Sequence, residues 1–466
     1  MIALILLLQT QAPPALRAID DWRVRVASAD STAITGGGRG SPLAPDGAEL
    51  SLYSVRTPPP GGWATVTGVM PADSMRNSMV TLTADLSTVD APEGAALWMR
   101  VDGPSGMLAF RNTSMDEPVT GTVASRPMRI TLRANTSASA IYYGMILTGS
   151  GKAEAHHVRL TSEPAPTGPI ASDARRLLDS AWSAVRQGAY WRDTVTWSAV
   201  EPQYWAMAEG ASTTEDAYPA IRFLLARLGD HHSGIMSPAA AKAMSKGGSG
   251  SGGPASLQPD VKLLGPGMGY VMVPAFGSVD SAAGVVFARA IQDGIARVAP
   301  SAGCGWIVDL RPDGGGNMWP MLAGLKPFLG SGPVGYFQFP SGVRGNPWIA
   351  PGNVPPALAA LDTVPVAVIT GSGTASSGEA VTIAFRGRPR TRSFGQPTAG
   401  LANANSTVLL PDGGMMFLMT SVDVDRDGNV FGYKVDPSVI VPEGAPGTDP
   451  PLDVAISWLK AESRCR

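Results

Sequence analysis

Hydrophobic residues change their spacing at the proline-rich joint formed by residues 163–169. Upstream they alternate with polar residues or run apolar in short segments, 22–26, 79–86, 95–101, 128–134 and 141–147, divided by clusters of Gly, Pro, Asn, Asp and Ser. Segments of that kind fit pleated strands with one face on a core, and their regular punctuation predicts an all-β sandwich over residues 19–163. Downstream the period becomes helical. Leu177, Leu178, Ala181, Trp182 and Val185 line one face of a helix expected over residues 173–187 with Ser172 as N-cap. A second helix opens at Thr214-Glu215-Asp216, buries Tyr218, Ile221, Leu224, Leu225 and Leu228, and stops at Gly229. From Met268 onward strands (270–273, 306–310, 366–370) alternate with helices (281–298, 318–329, 379–385), which predicts an α/β layered domain. Residues 406–441 return to strands, with hairpin turns at Pro411-Asp412-Gly413 and Asp427-Gly428-Asn429.

Composition narrows the function classes. The 36 basic residues nearly balance 38 acidic ones, so no excess charge draws the chain to nucleic acid or anionic lipid. With 55 glycines and 41 prolines, turns and short strands are favoured over long bundles. The two cysteines, Cys304 and Cys465, supply neither a disulfide framework nor a zinc site, and the four histidines form two pairs, His156-His157 and His231-His232. Residues 2–8 are apolar but far shorter than a membrane span, so residues 1–18 read as a signal peptide, and no later stretch is apolar enough to cross a bilayer. The expected order is signal peptide 1–18, β-sandwich 19–163, helical subdomain 170–245, Gly/Ser-rich linker 246–258 and catalytic domain 259–466.

Four short patterns follow in order: Leu228-Gly229-Asp230-His231-His232-Ser233, Asp309-Leu310-Arg311-Pro312-Asp313-Gly314-Gly315-Gly316, Thr374-Ala375-Ser376-Ser377-Gly378-Glu379 and Gly395-Gln396-Pro397-Thr398-Ala399-Gly400. Together they resemble the S41 family of serine peptidases, the C-terminal processing peptidases and tricorn-type core proteases, over residues of about 170 to 460. The resemblance implies a catalytic domain of the ClpP and crotonase type. The stretches 95–103, 108–110 and 143–151 also look like the galactose-binding-like jelly-roll modules of some bacterial hydrolases, though a sugar ligand does not follow from a fold.

Ser376 is the expected nucleophile. It ends a small-residue loop after a buried strand and precedes a helix, where its hydroxyl can project while the amide of Ser377 faces a developing oxyanion. The alternative is that Ser376 or Ser377 merely caps the helix beginning near Glu379. Processing peptidases of the family place a lysine after the Pro-Thr-x-Gly turn; here that position is Leu401, which excludes a Ser-Lys dyad there. The tricorn-type branch uses a histidine instead, and the resemblance puts His232 in that place, with His231 read as a polar loop residue. By the same resemblance Asp436, in Val435-Asp436-Pro437-Ser438, fills the acidic role, with Asp230 as the competing orienter of the imidazole. The glycine run lets backbone approach a substrate and pair its amides with that of Ser377 in an oxyanion hole, and the resemblance favours Gly315, then Gly316, for that place.

No cofactor or metal is expected. Asp423-Val424-Asp425-Arg426-Asp427-Gly428 begins like a calcium loop, but Lys434 stands where the bidentate Glu belongs, so it reads as a hairpin. Residues 233–268 are too few for a PDZ-like insertion. The expected partner is a peptide or protein substrate, with no nucleic acid and no membrane span. Two other classes stay open: a noncatalytic binding protein on the same fold, and an esterase acting on carbohydrate esters.

Overall fold

The computed structural model describes residues 22–27, 33–55, 62–104, 106–114, 118–245, 257–278, 280–444 and 447–463. The expected signal peptide, and all of the expected linker but Leu257 and Gln258, lie outside the described residues. The chain divides into two compact units, one of residues 1–254 with 406–418, the other of residues 255–405 with 419–466.

The first unit begins, among the described residues, with nine strands: β1 Arg23–Ala27, β2 Ile34–Arg39, β3 Ala48–Ser54, β4 Trp63–Pro71, β5 Ser78–Gly103, β6 Gly106–Asn112, β7 Val119–Ala134, β8 Ala140–Thr148 and β9 Lys152–Pro164. The all-β reading of this region holds. In place of two separate sheets, the described residues form one nine-stranded sheet, ordered β1-β4-β8-β5-β9-β3-β2, with β6 and β7 also on β5. The 26-residue β5 makes this possible. Its first half pairs with β7 and β9, and its second half, from Ala95, pairs with β8 and β6. Alternation along it sends Val80, Leu82, Leu86, Leu97 and Met99 to the core.

Four helices and a short strand follow in this unit: α1 Ser172–Gly188, α2 Trp197–Met207, α3 Thr214–Ala226, β10 Gly234–Met236 and α4 Pro238–Ser245. Helix α1 starts at Ser172 itself, and Ala171 holds the cap position expected for Ser172. Thr213 caps α3, where its side chain and that of Asp216 form a capping box. The apolar faces of α1 and α3 belong to the same buried cluster as the β5 residues. Arg133 of β7 adds hydrogen bonds to the carbonyl oxygens of Met207, Glu209 and Pro166 at 3.4, 2.7 and 3.1 Å. The division expected at residues 163–170 therefore runs through one core. Two short amphipathic helices have too little of their own to bury against, and the sheet supplies the missing face. Met415, Met416 and Phe417 pair antiparallel with β10.

The second unit is built from β11 Asp260–Leu263, β12 Met268–Met272, α5 Ser281–Val298, β13 Gly305–Asp309, α6 Met318–Leu329, β14 Gly335–Gln338, β15 Arg344–Trp348, β16 Val366–Thr370, α7 Ser377–Ala384, β17 Thr391–Gly395, β18 Asn403–Leu409, β19 Met415–Asp425, β20 Val439–Ile440 and α8 Pro450–Ser463, the strands β18 and β19 being shared in sequence with the first unit. Its six-stranded sheet among the described residues runs β11-β12-β13-β16-β17-β20 and is parallel from β12 onward. Strands β13 and β16 are buried along their whole length, as parallel strands covered on both faces must be. Trp306, Val308, Val366 and Val368 face the cluster of α5 and α6, while Ile307, Ala367 and Ile369 face Ala455 and Leu459 of α8. This is the α/β layered domain expected from the alternation. Cys304, next to β13, is disulfide-bonded.

Candidate active site

Parallel order puts the loops after β12, β13, β16 and β17 at one end of the sheet, the carboxyl end, where open α/β sheets hold their ligands. Three of the four sequence patterns supply three of these loops.

The β16 loop is pinned before it reaches Ser376. Thr374 donates its hydroxyl to the Leu310 carbonyl at 2.8 Å, and the Ala375 N–H donates to the Asp313 carbonyl at 2.9 Å. Ser376 then adopts φ 52° and ψ −114°, a left-handed conformation costly for a residue with a Cβ. Helical N-caps ordinarily use extended backbone, so Ser376 departs from the usual cap geometry. Ser376 is half-buried.

Glu379, three residues on, holds that turn. Its Oε2 accepts the N–H groups of Ser376 and Leu401 at 2.8 and 2.7 Å, and its Oε1 accepts the Thr398 hydroxyl and the Gly400 N–H at 2.5 and 2.9 Å. One carboxyl thus ties the Ser376 backbone to the loop after β17. Burial raises its pKa to about 7 despite these four donors. Asp423, fully buried on β19, is pushed well above the ordinary carboxylate range by burial and then by the charge of Glu379. In the sequence Glu379 stood out only as part of a motif; its spacing of three from Ser376, the capping-box interval, was the available signal.

The glycine run closes on the same turn. Gly315 has φ +105°, and a Cβ placed on it would lie 2.8 Å from Ser376 Cβ and 3.0 Å from the Ala375 carbonyl oxygen, so only glycine fits. Gly316, at φ +116°, leaves 2.2 Å between such a Cβ and the Phe276 carbonyl oxygen. Phe276 takes up the neighbours of Gly316: its N–H donates to the Gly315 carbonyl and its carbonyl accepts the Asn317 N–H, at 3.1 and 2.7 Å. The Gly316 carbonyl accepts the Ser377 hydroxyl at 2.6 Å. The Gly315 N–H, expected to face an oxyanion, is donated at 3.0 Å to Oδ1 of Asp313.

A second missed group braces the end of β13. Arg311 bonds Asp309 through Nε and Nη2, at 3.0 and 2.5 Å, and Asp449 through Nη1 and Nη2, at 2.8 and 2.9 Å. Tyr270 donates its hydroxyl to Asp309 at 2.9 Å. These contacts fix the strand end from which the glycine run departs.

Of the expected site residues, Ser376, Ser377, Gly315 and Gly316 are brought together in the second unit. Asp436 belongs to that unit too, with an exposed side chain and a backbone carbonyl that accepts from Arg386. His232 belongs to the first unit, where it is buried to 8 % exposure, while His231 is exposed. Asp230 shapes their loop: its Oδ1 accepts the N–H groups of His232 and Ser233 at 2.9 and 2.6 Å, and its Oδ2 accepts the Ser233 hydroxyl at 2.8 Å. The calcium-loop lookalike is a turn in which Asp425 accepts the N–H groups of Asp427 and Asn429 at 3.0 and 2.9 Å. Among the described residues no helix is long and apolar enough to cross a membrane.

Residues 267–441 match the family model of peptidase family S41. The nisin-resistance protein of Lactococcus lactis subsp. lactis is 28% identical over 167 residues, 34% of this chain and 50% of that protein, so the chain spans about half the length of this curated relative. Among solved structures, a lipoprotein from Streptococcus agalactiae shares the fold at TM-score 0.52 and 24% identity, over 63% of this chain and 98% of that one. The photosystem II D1 C-terminal processing protease aligns at TM-score 0.46 and 17% identity, over 59% of this chain and 94% of its own.

Proposed function

Residues 267–441 form a peptidase family S41 domain, and on that premise we propose that the chain is a serine peptidase with Ser376 as nucleophile and His232 as general base. The observation that carries this is the left-handed backbone of Ser376 on a strand-to-helix turn, pressed against a glycine that no other residue can replace. Strain held at one serine by a buried carboxyl and three loops serves a purpose that helix capping does not need.

In this reading His232 takes the Ser376 proton as the hydroxyl attacks a peptide carbonyl, then returns it to the leaving amine. The tetrahedral oxyanion is held by the Ser377 amide and by an amide of the turn at Gly315 and Gly316. Asp436 is the acidic partner. Asp230 is less suited to orient the imidazole, because both its oxygens serve the backbone and hydroxyl groups of its own loop. The substrate class is a peptide met outside the cytoplasm. That placement draws on the apolar stretch of residues 2–8, on the disulfide bond at Cys304, a bond characteristic of oxidising compartments, and on the similarity to a nisin-resistance protein.

The test is peptide hydrolysis by wild type, Ser376→Ala and His232→Ala, each checked for folding by circular dichroism. Both variants should lose turnover while staying folded, since neither residue belongs to an apolar core cluster. A folded Ser376→Ala protein that still cleaves peptide would end the proposal.

A further inference from the structure

Asp313 is 0 % exposed and lies between the glycine run and the first turn of α7. Its carbonyl oxygen accepts the Ala375 N–H at 2.9 Å. Its side chain packs so closely under the helix that a Cβ on Gly378 would sit 2.9 Å from its Cγ and 3.1 Å from its Cβ. Of its two carboxyl oxygens, Oδ1 accepts the Gly315 N–H at 3.0 Å and Oδ2 makes no hydrogen bond among the described residues. A carboxylate in that position would be a buried charge with one donor for company, at high cost. Burial accordingly raises the pKa of Asp313 well above the ordinary range.

Such a residue does not serve packing alone, for which an apolar side chain is better, and among the described residues its one side-chain hydrogen bond falls on the amide next to Gly316. We propose that Asp313 is a positioning residue for the hydrolysis: its Oδ1 takes the Gly315 N–H, sets the glycine turn against Ser376, and so presents the Gly316 amide, beside that of Ser377, to the oxyanion. The inference rests on the reading of Ser376 as nucleophile. The pairing of Phe276 with the Gly315 carbonyl and the Asn317 N–H agrees with it, since among the described residues that pairing leaves the Gly316 amide unused. The Ser377 hydroxyl on the Gly316 carbonyl, at 2.6 Å, then keeps the two donor-bearing segments side by side. Asp313 touches neither substrate nor Ser376 in this scheme; it decides which glycine amide faces them.

The experiment compares wild type, Asp313→Asn, Asp313→Leu and Ser376→Ala in their inactivation by a fluorophosphonate, separating the maximal rate kinact from the half-saturating concentration KI. Asparagine keeps the Oδ1 acceptor and should react within about threefold of wild type. Leucine keeps the outline branched at Cγ at a somewhat larger volume, removes the orphan oxygen and leaves the Gly315 amide unheld, and should lower kinact about 10- to 100-fold while KI changes less than about threefold. Hydrogen exchange of the Gly315 amide, read by NMR on glycine-labelled wild type, adds a measurement that needs no variant: it should be strongly protected. Leucine at the wild-type rate, asparagine as slow as leucine, or a Gly315 amide that exchanges like an open loop overturns the proposal and leaves Ser376 standing. A wild type that resists the probe, or a Ser376→Ala protein that accepts it, removes the nucleophile and this inference with it.

Discussion

Replacing Glu379 by glutamine should change how the stability of this protein depends on pH, and the size of the change follows from the carboxyl's surroundings. Glu379 is fully buried and its pKa rises from 4.5 to about 7, with burial the largest cause. The folded state thus holds the proton more tightly than the unfolded chain. The contribution is fully present below pH 4.5 and is lost as pH rises through 7. A rise from 4.5 to about 7, at about 1.4 kcal/mol per pH unit, makes roughly 3 kcal/mol lost by wild type between pH 4.5 and 8. Glutamine is the neutral isostere and has no such loss. The assay is urea unfolding of wild type and Glu379→Gln at intervals across that range. The difference in unfolding free energy, wild type minus variant, should fall by about 3 kcal/mol from the acid to the alkaline end. Above pH 7 the variant should also turn over more slowly, because its amide group meets the N–H groups of Ser376 and Leu401, or of Gly400, donor against donor. Parallel stability curves for the two proteins would show instead that Glu379 titrates alike in the folded and unfolded chain, and the burial argument would fail.

The other expectations are simpler to read. His232→Ala should lose turnover as fully as Ser376→Ala, on the order of a thousandfold or more, and His231→Ala only a few-fold, in steady-state assays of the folded proteins. Gly315→Ala should lower the melting temperature, at a cost of about 1 to 3 kcal/mol, and should cut turnover at least tenfold, because its Cβ falls 2.8 Å from that of Ser376 at a φ of +105°. A chain beginning at Ile170 should fail to fold as a soluble monomer, because Leu177, Leu178 and Ile221 lose the sheet residues of their shared core; a cooperative melt from a monomeric fragment would contradict the common core.

Strands β12, β13 and β16 of the second unit were readable because each is short, apolar and flanked by glycine or proline, and helices α5 and α6 because each is a long apolar-rich segment with an Asp or Asn cap before it. The spans 281–298, 318–329 and 366–370 match α5, α6 and β16 residue for residue. The β region was readable as to type but not as to sheet. Nothing local in residues 78–103 announces that one strand pairs with two neighbours in its first half and two others in its second. The boundary at the proline joint misled because composition marks where the chain is stiff, not where a core ends, and Arg133 bonding across to Met207 and Glu209 has no sequence signature. At the site, Ser376, Ser377 and the glycines were visible as motif positions. What Glu379, Asp313 and Arg311 do was not, because each acts through hydrogen bonds to residues from about 20 to 140 positions away or through a single backbone amide, and spacing does not encode a partner of that kind.

If Ser376, held in its left-handed turn, is the one activated serine of this chain, a fluorophosphonate should find it without guidance. The direct measurement is to label the wild-type protein with that probe, digest it and locate the adduct by mass spectrometry. One modified residue is expected, Ser376, with no labelling after denaturation and a rate that collapses in His232→Ala. An adduct on Ser377 or any other serine, or equal labelling of native and denatured protein, would mean that the strained turn does not mark the nucleophile.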